Sequence, residues 1–280
     1  MQVVKTIAEA RAFSAAARGK QRKIGCVPTM GALHTGHLSL VAECRKHVDE
    51  TLLTIFVNPT QFSPTEDLNR YPRPLEADLE ACRQAGVDCV YLPEPASLYP
   101  ADYDTWVTVG AMSTILEGEF RPTHFRGVTT IVAKLFNIIQ PDVACFGDKD
   151  YQQQAIIRRM VADLNLPVEI VVCPTLRDPD GLAMSSRNVY LSSEHRQTAL
   201  VIFQTLQLAE QQFRAGQSVA DVESAMWSKL QSTPDVSPQY AVLRDLETLA
   251  PLAGGADAAV ALIAAQVGQT RLIDHLTIQR

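Results

Sequence analysis

The chain lacks several patterns that would place it quickly. None of its six cysteines forms a C-x-x-C pair, and Cys26, Cys44, Cys82, Cys89, Cys145 and Cys173 fall mostly within apolar runs. That spacing suits buried thiols in a reducing cytoplasm better than a metal site or a disulfide framework. H-E-x-x-H is absent, so the commonest helical zinc motif is excluded as well. The N-terminal region carries no uninterrupted apolar segment of signal-peptide or membrane-span length. Arg11 and Arg18 among alanines faintly resemble a transit peptide, but Glu9 and the helical periodicity predict a first helix instead. No internal repeat or low-complexity tract stands out. Basic residues are outnumbered 25 to 31, giving a formal charge of −6. The net field therefore opposes nucleic acid and anionic membrane, and a polyanionic ligand must meet a local basic cluster.

What is present is a globular chain of 280 residues, 46% hydrophobic and 20% charged, long enough for one large domain or two ordinary ones. Up to about Pro174 helices and strands alternate. Helix Ile7–Arg18 precedes a strand at Lys23–Val27, and the continuous apolar run Leu52–Val57 reads as a strand buried on both faces. A helix at Leu75–Ala85, a strand at Val87–Leu92 and an extended piece at Thr105–Val109 follow. Next come a helix at Val128–Ile139, a strand at Val143–Phe146, a helix at Tyr151–Leu164 and a strand at Val168–Cys173. This order predicts an α/β fold with a Rossmann-like doubly wound parallel sheet. Beyond it, a long helix Ser193–Ala215, a helix capped by Ser218 with Asp221, and strands at Tyr240–Asp245, Ala258–Gln266 and Arg271–Leu276 predict a smaller α+β domain. The expected domains are residues 1–175 and 176–280, joined through the turn-rich stretch Pro174–Arg187.

The stretch Pro28-Thr29-Met30-Gly31-Ala32-Leu33-His34-Thr35-Gly36-His37 lies between the first of these buried strands and a helix expected from Leu38. A helix start offers unpartnered N–H groups and a positive dipole, and Gly31 and Gly36 allow close approach of an anion. His34 and His37 are three apart and can share a face. They can equally be surface histidines; as a zinc pair they lack a third ligand at suitable spacing.

Three further polar stretches fall where parallel strands should end, which is where ligands of such sheets collect. Asn58-Pro59-Thr60-Gln61-Phe62 follows a strand and is either a turn or an amide pair for a small polar substrate. Gly147-Asp148-Lys149-Asp150 opens a helix ahead of Gln152, Gln153 and Gln154. There Lys149 could hold a triphosphate and Asp150 Mg²⁺, or the stretch is a solvated turn. Arg177–Asn188, with Met184-Ser185-Ser186-Arg187 at the joint, offers two hydroxyls and a guanidinium to phosphate oxygens and could swing on a flexible hinge. Arg121, His124 and Arg126 form a last basic segment, otherwise a surface loop.

In combination these stretches resemble the HIGH and KMSKS-type signatures of the nucleotidylyltransferase superfamily, and within it the pantothenate synthetase family. PTMGALHTGH, IFVNPTQF, RPTHFRGV, CFGDKDYQQ and DPDGLAMSSRN occur in that family's order along nearly the whole chain. The resemblance implies condensation of (R)-pantoate with β-alanine, driven by cleavage of ATP to AMP and pyrophosphate through a pantoyl adenylate. It implies an ATP site at Met30–His37, Gly147–Asp150, Leu176 and Met184–Arg187, in which His34, His37, Lys149, Ser185, Ser186 and Arg187 contact phosphates and Asp150 helps position Mg²⁺. It implies a pantoate site with Gln61 and Gln153, Asn58 and Arg121 nearby, and Pro28 and Met30 lining it. His37 is also the family's proton donor or acceptor. Asp148 and Met184 depart mildly from the family pattern, which usually has Glu and Leu there. A cytoplasmic homodimer with the smaller domain as a lid is implied as well, with ATP and Mg²⁺ as cofactors and no nucleic-acid or membrane partner. Rivals are a nucleotidylyltransferase with a dinucleotide product and a non-catalytic nucleotide-binding module; a class I tRNA synthetase fits poorly with the acidic balance.

Overall fold

Apolar runs flanked by turn residues become the strands of a parallel sheet. The computed structural model describes residues 1–63, 68–253 and 255–280. It divides into two compact units, residues 1–148 with 152–174, and residues 149–151 with 175–280.

The first unit contains strands β1 (Gln2–Val4), β2 (Ile24–Thr29), β3 (Glu50–Ile55), β4 (Cys89–Tyr91), β5 (Val143–Gly147) and β6 (Glu169–Cys173), all parallel, in the order β1-β4-β3-β2-β5-β6. Its helices are α1 (Ile7–Gly19), α2 (Thr35–Cys44), α3 (Leu75–Gln84), α4 (Pro95–Leu98), α5 (Glu117–Phe120), α6 (His124–Ile139) and most of α7 (Tyr151–Asp163). Successive strand residues face opposite ways, so each strand feeds two cores. Cys26, Leu52 and Cys89 pack with α1 and α6, while their neighbours Val27, Leu53 and Val90 pack with Leu40 and Val41 of α2 and Leu79 of α3. That is the doubly wound sheet expected from the alternation.

β2 is the point where the strand order reverses, with β3 on one side and β5 on the other. Its pairing to β5 covers only Gly25↔Val143 and Cys26↔Ala144, although β2 runs on to Thr29 and β5 to Gly147. The two strands therefore part toward their carboxyl ends. Ligand crevices of open α/β sheets lie at such a switch point.

The second unit packs α8 (Ser193–Thr198), α9 (Leu200–Arg214) and α10 (Val219–Gln231) with an antiparallel sheet of β7 (Val236–Arg244), β8 (Ala258–Val267) and β9 (Thr270–Gln279), in that order. Leu206, Phe213, Met226, Leu243 and Ile263 are fully buried in its core. Ser218 caps α10, accepting from the Asp221 N–H at 3.2 Å.

Several boundaries differ from the sequence expectation. α2 starts at Thr35, ahead of Leu38, because His34 supplies the cap. α6 starts at His124 instead of Val128, so His124 and Phe125 of this segment are buried in its first turn while Arg126 stays exposed. The long helix at 193–215 breaks at Ala199 into α8 and α9. β7 begins at Val236, with a register shift between Pro238 and Tyr240 that hides its period of two. Residues 105–109 join neither sheet: Val107 donates its N–H to Thr130 Oγ1 at 3.1 Å and accepts from Thr129 Oγ1 at 2.7 Å. β1, three residues long, was too short to show periodicity.

Candidate active site

The chain leaving β2 makes a left-handed turn. Gly31 and Ala32 have φ of +80° and +50°. Gly31 donates its N–H to Thr29 Oγ1 at 3.2 Å, and Ala32 and Leu33 donate theirs to the two carboxylate oxygens of Asp78 at 2.9 and 2.7 Å. His34 then caps α2. Its Nδ1 accepts from the Gly36 N–H at 3.1 Å, while its own N–H donates to Nδ1 of His37 at 3.4 Å. The imidazoles lie with centroids 4.1 Å apart. Since each Nδ1 accepts a backbone N–H, the proton of each neutral ring sits on Nε2. The turn thus presents two side-chain donors. The cradle of unpartnered amides expected here is not what the sequence builds, because the N–H groups of residues 31–34 and 36–38 already have partners within the protein.

After β3, Asn58 and Gln61 form a connected pair. Asn58 Nδ2 donates to Gln61 Oε1 at 3.2 Å and to the Gly127 carbonyl at 3.1 Å; its Oδ1 accepts from the Thr60 N–H and hydroxyl at 3.4 and 3.0 Å. The buried Asn58 amide is therefore spent on the protein, and it orients Gln61. Gln61 Nε2 points at Met30 Sδ, 2.9 Å away, a weak acceptor that a stronger oxygen can replace. From α6 and the preceding turn, His124 Nδ1 lies 2.9 Å from the Gln61 carbonyl, with Arg121 Nη1 at 3.2 Å from His124 Nε2 and Arg121 Nη2 at 3.4 Å from the same carbonyl. A guanidinium only donates, so Nε2 accepts and Nδ1–H donates to Gln61. Burial holds the phenol of Tyr99, whose oxygen lies 3.3 Å from Thr60 Oγ1, up to about 12. Met30, Asn58, Gln61 and Arg121 are thus brought together. Pro28 stands half-buried in β2, paired with Thr54.

β5 ends at Gly147 and Asp148 opens the turn that follows, both half-buried. Asp148 Oδ1 accepts from Gln154 Nε2 at 3.3 Å. Gln152 is buried and holds the α5 turn, donating to the carbonyls of Met112 and Ile115 at 2.8 Å each and accepting from the Glu117 N–H at 3.1 Å. Of the three successive glutamines, Gln153 is the half-buried one. Lys149 and Asp150 belong to the second unit, their charged groups 3.5 Å apart.

Also in the second unit, residues 176–184 form a short hairpin: Arg177 bridges Ala183, and Met184 donates its N–H to the Leu176 carbonyl at 2.9 Å. Arg177 grips Asp274 of β9 at 2.5 and 2.9 Å and stacks on Phe203, its guanidinium 4.2 Å from the ring centroid. Arg196 binds Asp178 and Asp180 at 2.8 and 2.9 Å, and its hydrogen bond holds the Asp180 carboxyl below the usual range. Ser185 follows, its Oγ accepting from the Arg187 N–H at 3.2 Å, while Asn188 Nδ2 ties to the Ala183 carbonyl at 3.0 Å. Within the stretch expected as a flexible joint, residues 176–184 are therefore a hairpin clamped inside the second unit, and Ser185, Ser186 and Arg187 follow it.

These turns at one sheet edge and one hairpin can be set beside known proteins. The chain matches the family profile described as Pantoate-beta-alanine ligase over residues 2–277. It belongs to that family. A pantothenate synthetase of Roseiflexus castenholzii is 50% identical over 280 residues, covering 100% of both chains. One of Moorella thermoacetica is 49% identical over 280 residues, covering 100% of this chain and 99% of its own. The crystal structure of pantothenate synthetase from Thermus thermophilus superposes with a TM-score of 0.93 at 43% identity, with 99% of each chain covered. That of the Francisella tularensis pantoate-β-alanine ligase, complexed with beta-gamma ATP and β-alanine, gives a TM-score of 0.82 at 32% identity, covering 99% of this chain and 97% of its own.

The activity is that of a pantoate–β-alanine ligase, an ATP-dependent enzyme of pantothenate biosynthesis. Among the described residues of this ligase no group of three or more His, Cys, Asp or Glu could hold a metal ion, and no helix is long and apolar enough to cross a membrane. Sequence reasoning gave no role to Asp78, Gln152 or Gln154 and left His124 between a basic segment and a surface loop. None had a local signal, since each acts on backbone or side chains supplied by a fold contact.

Proposed function

We propose that the ligase reaction proceeds in two stages on the residues described above. A carboxylate oxygen of pantoate attacks the α-phosphorus of ATP; the new P–O bond forms as the bond to the β-phosphate oxygen breaks, and pyrophosphate leaves. The neutral amine of β-alanine then attacks the carbonyl of the pantoyl adenylate, expelling AMP and losing a proton as the amide forms. The first stage needs no protein nucleophile, only alignment of two anions and spreading of charge over the departing pyrophosphate.

The observation that carries this assignment is the pair of imidazoles, which carry their ring protons on Nε2 and stand beside the parted ends of β2 and β5. In this assignment His34 and His37 donate to phosphate oxygens, with Met30–Gly36 and Gly147–Asp148 around the nucleotide. Lys149, Ser185, Ser186 and Arg187 carry the second unit's share of the triphosphate, with Leu176 and Met184 beside it, and that unit serves as the lid. Gln61 and Gln153 hold pantoate; Asn58 and Arg121 act by fixing Gln61, and Pro28 and Met30 line the pocket. A site built from amide hydrogen bonds rejects acids that lack the matching hydroxyls. β-Alanine and ATP as ligands are supported by the Francisella relative crystallised with β-alanine and beta-gamma ATP.

Mg²⁺ fits as an ion that arrives with ATP, since it commonly binds through one or two carboxylates plus substrate phosphates. Asp150, 47% exposed at its side chain, is the carboxylate for it; the ion would neutralise phosphate charge. His37 acts here as a phosphate donor, because its Nδ1 is already an acceptor for the His34 N–H. The enzyme is a cytoplasmic homodimer; the compartment is supported by six free, buried thiols, and the dimer by family resemblance.

Pantoate-dependent ATP–pyrophosphate exchange in the absence of β-alanine tests the two-stage order. Exchange without pantoate, or none with pantoate, ATP and Mg²⁺ together, refutes it.

A further inference from the structure

Left-handed backbone at a residue other than glycine is costly and persists only where surroundings enforce it. Ala32 adopts φ of +50° directly after Gly31 at +80°, at the head of the histidine-bearing turn. What enforces it comes from α3, distant in sequence. Asp78 is 2% exposed, and its Oδ2 and Oδ1 accept the N–H groups of Ala32 and Leu33 at 2.9 and 2.7 Å. It has no basic partner among the described residues, so its charge rests on these two amides and on its place in the first turn of α3, where the helix dipole favours an anion. A Cβ at position 31 would stand 2.9 Å from Asp78 Oδ2 and 2.9 Å from Ile55 Cγ2, so the carboxylate reaches the turn only because residue 31 is glycine.

We propose that Asp78 is a positioning residue for ATP. By taking two consecutive amides it holds the strained turn that aims His34 and His37, without touching substrate. This rests on the assignment of those histidines to the phosphates. Asp78 is distinct from the charged groups assigned to ligands, because its two oxygens are turned to the backbone. Replacing it with Asn keeps the volume but sets an NH₂ group against one of the two N–H groups, so one bond is lost and two donors face each other.

The test is pantoate-dependent pyrophosphate exchange with Asp78→Asn, scored separately for ATP and pantoate. The expected result is a KM for ATP raised by about tenfold or more, with the KM for pantoate within about twofold of wild type. Adding Ala32→Gly should recover part of the ATP loss, since glycine adopts the left-handed turn without the restraint. Unchanged KM for ATP, parallel losses for both substrates, or no recovery in the double variant overturns the proposal. If Asp78→Asn does not fold, Ala32→Val in the otherwise intact enzyme replaces it, because a β-branched residue resists φ above zero; a normal KM for ATP there overturns the proposal equally. His34→Asn serves as the control. If it leaves ATP binding unchanged, the phosphate assignment fails; if it weakens ATP while Asp78→Asn does not, the inference about Asp78 alone fails.

Discussion

His34 and His37 are bonded through one backbone group and one ring nitrogen: the N–H of His34 donates to Nδ1 of His37, and the rings stand 4.1 Å apart. The pair is a helix cap and a donor pair at once, and the two jobs use different nitrogens. Asparagine places an acceptor near Nδ1 and nothing at Nε2, so His34→Asn should melt within ~2 °C of wild type while its KM for ATP rises by about tenfold or more. Thermal melts with substrate kinetics check this. Normal ATP use by a stable His34→Asn variant removes Nε2 from the phosphates.

Lys149, assigned above to the triphosphate, has only Asp150 within 4 Å as a counter-ion among the described residues. Lys149→Ala should lower turnover by roughly a hundredfold or more with far-UV circular dichroism unchanged. Near-normal turnover would take it out of the site.

Gln61 is held by Asn58, His124 and Arg121, with its Nε2 facing Met30. Gln61→Ala should raise the KM for pantoate by about tenfold or more and leave that for ATP within about twofold. Asn58→Ala should reproduce the same selective loss through Gln61. Equal effects on both substrates would mean that the pair is structural only.

Tyr91 is 0% exposed in β4, and its hydroxyl has no hydrogen-bond partner among the described residues. A buried, unsatisfied hydroxyl costs about 1–3 kcal/mol, so Tyr91→Phe should stabilise the protein by about 1 kcal/mol near neutral pH. Burial raises the Tyr91 phenol from 10.0 to about 12. The unfolded chain therefore ionises first as pH climbs, and the stability present below pH 10 is lost on the way to pH 12. The advantage of Tyr91→Phe should widen over that window in denaturant titrations. A variant less stable than wild type at pH 8 would contradict it.

The parallel sheet was legible because strands buried on both faces are written as apolar runs, such as Leu52-Leu53 in β3, and helix stops such as Gly86 are local. The residues of the turns were legible as types. Their roles were less so. Asn58 and Gln61 look alike in sequence, yet one amide is consumed by Gly127 and Thr60 and the other is turned toward Met30. The turn at Asp178-Pro179-Asp180-Gly181 was legible as turn chemistry, but not that Arg177 and Arg196 fix its hairpin through partners at positions 274 and 178–180. His124 looked exposed because the first turn of α6 is polar, and burial arises from packing on the 59–61 turn.

A Cβ at Gly127 would lie 2.5 Å from the Thr60 carbonyl oxygen and 2.7 Å from Gln61 Cα, so the substrate-facing turn rests flush on α6. If Gln61 holds pantoate as proposed, acid selectivity is tied to the packing of this turn on α6. A side chain at position 127 would then have to displace the Gln61 turn, so a change made on α6 would reach the pantoate site from outside it.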